Sequence, residues 1–96
     1  MRLTKFEQES IIKNSQKLFG SETEVFLFGS RADDDKKGGD IDLYIKGKNH
    51  AELLDKKFEF LTFLQNDIGE QKIDIIIATD ENREIEQEAI KNGIKL

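Results

Sequence analysis

The chain has 96 residues, a net charge of −5 and a pI near 4.9, which is one small domain with no room for a second substrate-binding unit. It has no cysteine, so disulfides and thiolate metal sites are excluded, and its acidity argues against tight, sequence-independent binding to duplex nucleic acid. No apolar run reaches the length of a membrane span and the first residues lack a signal-peptide core, so the expected location is cytoplasmic.

In chain order, residues 4–19 read as a helix. Thr4 with Glu7 three residues on is a capping-box pattern, and Gly20 suits the C-terminal stop. Phe6, Ile11, Ile12, Leu18 and Phe19 are spaced as a core-facing stripe. Residues 24–28 form a short, continuously apolar strand. Gly29 and Ser30 follow at once. A glycine at a strand end lets the backbone turn and approach a ligand, and the serine offers a hydroxyl and an N–H to phosphate oxygens. Arg31 adds a charged fork of the kind that binds phosphate. The Gly-Ser-Arg triplet alone is also an ordinary turn.

Asp33 to Gly39 is a polar loop whose acidic and basic run reads as solvated surface. As a calcium loop starting at Asp33 it fails, because Lys37 takes the fifth position and Tyr44 the twelfth. Residues 40–46 are the second strand, and Lys46 to Asn49 turn the chain without the spacing of a Walker loop. Asn49 caps a helix from about His50 to Asp67, with Leu53, Leu54, Phe58, Phe60, Leu61, Phe63, Leu64 and Ile68 as a wide apolar face. His50, the lone histidine, reads as an unspecialised residue at the helix start. Gly69 ends this helix. Lys72 to Ala78 is the third strand. Residues 83–92 form a last helix on Ile85, Ala89 and Ile90, followed by a tail, Ile94 to Leu96, that packs or meets a partner. The order is α-β-β-α-β-α: an α/β sandwich, a small mixed sheet with helices on one main face.

Alternation along the second strand turns Ile41, Leu43 and Ile45 one way and Asp40, Asp42 and Tyr44 the other. The two carboxylates then lie on one face with their Cα atoms about 6.5–7 Å apart. Aspartate is a poor strand former and like charges repel, so a cation is the natural tenant between them. Asp74 stands among isoleucines in the third strand, where an acid needs a reason. Three strand acids beside a phosphate-friendly turn suggest two-metal phosphoryl transfer. Asp40 and Asp42 would be shared ligands, and Asp74 would complete the site and draw the proton from the attacking hydroxyl. The competing reading makes the same acids hydrogen-bonded turn residues or guards of an edge strand.

The string Phe28-Gly29-Ser30-Arg31-Ala32, then Asp40-Ile41-Asp42-Leu43, then Asp74 on a later strand, resembles the DNA polymerase beta-like nucleotidyltransferase superfamily. The similarity is closest to its minimal members, single domains of this length often paired with a HEPN-domain partner as antitoxin and toxin, and it spans nearly all of residues 1–96. The resemblance implies binding of Mg²⁺, as two ions, and of a nucleoside triphosphate, with ATP the expected substrate. It implies transfer of the nucleoside monophosphate to a hydroxyl, which in characterised antitoxins of this type is a tyrosine of the HEPN toxin, with release of pyrophosphate. Carried over residue by residue, Gly29, Ser30 and Arg31 would hold the nucleotide and Asp40, Asp42 and Asp74 the metals. Gly39 departs from the Ser-Asp that many such sequences carry before the corresponding acid. The alternative within the same resemblance is a non-catalytic, nucleotide-binding antitoxin that neutralises its partner by contact. A small-molecule or RNA nucleotidyltransferase subunit is a third possibility. Homo- and hetero-oligomers are both compatible with it.

Overall fold

The computed structural model describes residues 1–96. Its first helix, α1, spans Lys5–Phe19. The capping box is in place. Thr4 Oγ1 accepts from the Glu7 N–H at 3.0 Å, and Glu7 Oε1 accepts from the Thr4 N–H at 2.9 Å. The buried face of α1 differs from the expected apolar stripe. It consists of Glu7, Ser10, Ile11, Asn14 and Ser15, while Phe6 is 59 % exposed. The reason is a polar seam with the next helix: the Ser10 hydroxyl and the Asn14 amide both donate to Asp67 Oδ2, at 2.7 and 3.0 Å. These hydrogen bonds offset the cost of taking the polar groups out of water.

Strands β1 (Glu24–Phe28), β2 (Ile41–Lys46), β3 (Ile73–Ile77) and β4 (Ile94–Lys95) form one mixed sheet in the order β3-β2-β1-β4. β1 runs antiparallel to β2 and β4, and β3 runs parallel to β2. The parallel pair needs a long crossover, which α2 (His50–Ile68) supplies. β4 is the tail expected to pack or meet a partner: it packs, pairing Ile94 with Leu27 and Lys95 with Phe26.

The sheet has two differently used faces. Val25, Leu27, Ile41, Leu43, Ile45, Ile73, Ile75 and Ile77 turn to one side and meet Ile11 of α1 and Leu53, Phe60 and Leu64 of α2 in the main core. Residues at the alternate positions, Phe28, Tyr44 and Ala78, meet Ala89 of α3 (Glu84–Asn92) on the other side. The expectation of helices on one main face therefore holds for α1 and α2 and is corrected for α3, which covers part of the opposite face. That face has an apolar half, built by Tyr44, Ile76 and Ala78, which draws α3 onto it. The expected apolar face of α2 is narrower than its sequence suggests, since Leu54 and the 73 % exposed Phe58 point outward. Ile85 and Ile90 of α3 are also largely exposed.

Glu86 locks α3 down. It is fully buried, and its carboxylate accepts from the Tyr44 hydroxyl at 2.9 Å and from the N–H groups of Thr79 and Asp80 at 3.2 and 2.9 Å. Arg83 adds a charged donor at 3.2 Å. No helix is long and apolar enough to cross a membrane.

Candidate active site

The uncovered half of the α3 face holds the acids. Antiparallel register sets Phe28, the last residue of β1, against Asp42, and parallel register sets Asp42 against Asp74. Neighbouring strands are about 4.8 Å apart, so two carboxylates on one face at matched register are forced together. They are close enough to share a hydrogen bond when one is protonated. Burial first, and then the negative charges of Asp74 and Asp40, push the Asp42 carboxyl above the usual carboxylate range.

Asp40 stands just before β2 and is half exposed. Its Oδ2 pairs with the Lys72 ammonium at 3.3 Å. That hydrogen bond and the charge of Asp40, followed by the charges of Asp74 and Asp42, hold the Lys72 ammonium above its ordinary pKa. Lys72 was not singled out by its sequence, although period two from Asp74 places it on the same face. The three expected acids thus lie along one patch, Asp42 beside Asp74 in matched register and Asp40 paired with Lys72 at its border. No three acidic or histidine groups stand close enough to close around an ion as they are. The donor chemistry still fits a hard divalent cation: carboxylate oxygens only, in mutual repulsion at Asp42.

Gly29 is built into this patch. Its φ is +73°, and a β-carbon there would run into the Asp42 carboxylate. Only glycine gives both the left-handed backbone and the close approach. Gly29 opens a 3₁₀ turn, Gly29–Ala32, whose first amides have no partner within the turn. Ser30 follows in the turn, and its hydroxyl lies under Gly38 of the polar loop, where a β-carbon would come within 2.7 Å of it.

Arg31 has a different surrounding from the phosphate fork of the sequence reading. It donates to the Arg2 carbonyl at 2.8 Å, to the Gly39 carbonyl at 3.0 Å and to Gln71 Oε1 at 3.1 Å. It also lies 3.9 Å from Glu7 Oε1. Arg2 complements it, donating to the carbonyls of Gly38 and Ser30 at 3.1 and 3.0 Å. Two arginines thereby tie the start of α1, the 3₁₀ turn and the polar loop together behind Gly29 and Ser30.

Two spaces open from the acids. A cavity of about 370 Å³ is bordered by Asp42, Asp74, Phe28, Ile76, Ile85 and Lys57. A wider groove of about 610 Å³ lies between Gly29 and Asp42 on one side and Glu84, Ile85 and Glu88 of α3 on the other. Lys57, Ile85 and the two glutamates belong to helices that their sequence marks only as packing elements, so spacing gave no sign of them.

A family model described as Polymerase beta, Nucleotidyltransferase matches residues 9–96, which takes in both arms of the site and every strand. No curated protein matches the chain at a significant level.

Proposed function

This chain belongs to the polymerase beta nucleotidyltransferase family, and from that premise we propose that it transfers a nucleoside monophosphate, AMP from ATP, to a hydroxyl of a partner protein. The observation that carries the reading is the register of Asp42 with Asp74 beside Gly29. It gives a carboxylate pair that is unstable on its own and a turn that lets a phosphate chain approach it. In this reading the acceptor hydroxyl is supplied by another molecule. A HEPN-type toxin is the partner that the family's minimal antitoxins use, and a cytoplasmic location goes with that pairing.

In the proposed reaction the acceptor oxygen attacks the α-phosphorus of ATP. The bond from that phosphorus to the β-phosphate oxygen breaks, and pyrophosphate leaves. The acceptor proton goes to Asp74, the more exposed of the paired acids, and from there to water. Asp40, Asp42 and Asp74 would hold Mg²⁺, which when bound neutralises the triphosphate and the developing charge on the leaving oxygen. Gly29 and the first amides of the 3₁₀ turn receive the triphosphate, with the Ser30 hydroxyl as a further donor. Arg31 and Arg2 act one step back by fixing that turn.

Co-expression with a HEPN-domain protein, followed by intact-mass measurement of that partner, tests the reading. Gain of one or more AMP units with the unmodified chain, and none with Asp42→Asn or Asp74→Asn, is the expected result. A stable complex whose partner has unchanged mass would identify the chain as an antitoxin acting by contact. Transfer to RNA in place of protein would refute the choice of acceptor.

A further inference from the structure

We propose that the open edge of β3 is the docking strand for the acceptor, which adds to the sheet as an extended segment with its hydroxyl residue opposite Asp74. This rests on the transfer reading above and specifies how the partner is held.

β3 is an edge strand of the four-stranded sheet. Its even-numbered residues bond to β2. The Lys72 carbonyl accepts from the Ile41 N–H at 3.0 Å, and the Ala78 N–H donates to the Ile45 carbonyl at 2.9 Å. By the alternation of a parallel ladder, the N–H and C=O groups of Ile73, Ile75 and Ile77 then point away from the sheet. They have no partner elsewhere in the chain. An apolar strand left open in this way invites another chain, and folds usually blunt it with proline, a bulge or charge. Here Asp74 is the only charge within the strand and stands in register with Asp42, and Lys72 just before it pairs with Asp40. The opposite edge is closed by β4, only two residues long.

Geometry links this edge to the chemistry. In an antiparallel addition, the residue opposite Asp74 is a non-hydrogen-bonded pair, with its β-carbon about 4.5–5.5 Å from that of Asp74 on the same face. A tyrosine is long enough to reach past Asp74 to Asp42, one strand further in. The cavity beside these acids, with Phe28, Ile76 and Ile85 on its walls, receives the ring. The next residue of the segment points to the α2 face. Lys57 borders the cavity from that helix and forms no ion pair or hydrogen bond within the chain. An acidic residue next to the tyrosine complements it. The occupant is therefore an extended segment with a tyrosine flanked by an acid and by apolar residues at alternate positions.

The probe is a seven-residue peptide with a central Tyr-Glu pair and valines at alternate positions. Two further versions are N-methylated, one on each alternate set of amides. Amide exchange of the full chain is followed by NMR. With the parent peptide, exchange at Ile73, Ile75 and Ile77 slows at least tenfold, while Asp74 and Ile76 do not change. One methylated version retains the effect and the other loses it. Absence of this alternating protection at millimolar peptide, or equal behaviour of the two methylated versions, overturns the proposal. So does protection of the same amides by raised protein concentration alone, which would assign the edge to a second copy of the chain. ATP and Mg²⁺ are then added and the peptide is weighed. Protection without AMP gain supports the docking strand and counts only against the transfer reading.

Discussion

At Asp42 and Gly29 single side chains, or their absence, decide what the site can do. Ionised Asp42 sits in a partly buried position beside two other acids, so its charge works against the metal-free fold. Asp42→Asn is expected to raise the melting temperature in chelator and to lack the further rise expected of the unmodified chain in Mg²⁺. Thermal melts with and without Mg²⁺ read both effects. A lower melting temperature in chelator would show that the acid cluster does not strain the fold. Gly29→Ala combines a left-handed backbone with a clash against Asp42. Its expected cost is about 1–3 kcal/mol in denaturant unfolding, together with loss of nucleotide binding. The alternation of β2 and β3 made the three acids legible in the sequence, and the Gly-Ser pair marked where the chain turns. Arg31 shows the limit of that reading. Its position after Ser30 suggested a phosphate ligand, whereas its neighbours are carbonyls brought from residues 2 and 39.

Among the elements, the 3₁₀ turn with its loop and α3 are held by distinct polar anchors. If Arg31 serves to fix the turn, Arg31→Ala lowers the melting temperature of the nucleotide-free protein and speeds amide exchange across residues 33–39. Removal of an arginine that only touched phosphate would leave the nucleotide-free melt unchanged. Glu86 anchors α3. Burial by itself would raise its carboxyl pKa, but the hydrogen bonds from the Asp80 amide, the Tyr44 hydroxyl and the Thr79 amide outweigh this and hold it below the usual range. A depressed carboxyl contributes stability that is complete above its unfolded value and is lost as pH falls through the lower folded one. Acid melts of the unmodified chain should therefore lose stability below about pH 4.5. Glu86→Gln should flatten that limb and cost about 2–3 kcal/mol at neutral pH. Burial first, and then the bond and charge of Glu86, raise the Tyr44 hydroxyl, so it remains a donor throughout this range.

For the whole molecule, the sign of the charge matters most. The net charge is −5, and Asp33, Asp34, Asp35 and Glu88 border a further cavity of about 450 Å³ beside Gly29. A bare triphosphate meets repulsion at such a surface, so its approach depends on accompanying cations. Calorimetry is expected to find ATP binding at least tenfold weaker in chelator than in Mg²⁺, and equal affinities would contradict a cation-borne site. The fold order, the capping of α1, the strands and the three acids followed from the sequence itself, because periodicity and turn residues are local properties of the chain. The placement of α3 on the second face, the polar seam of α1 and the short β4 did not, because each depends on partners distant in sequence. The contact of Asp42 with Asp74 belongs to the same class: alternation sets each side chain's face, but only strand order and parallel register, fixed by the α2 crossover, bring the two carboxylates side by side.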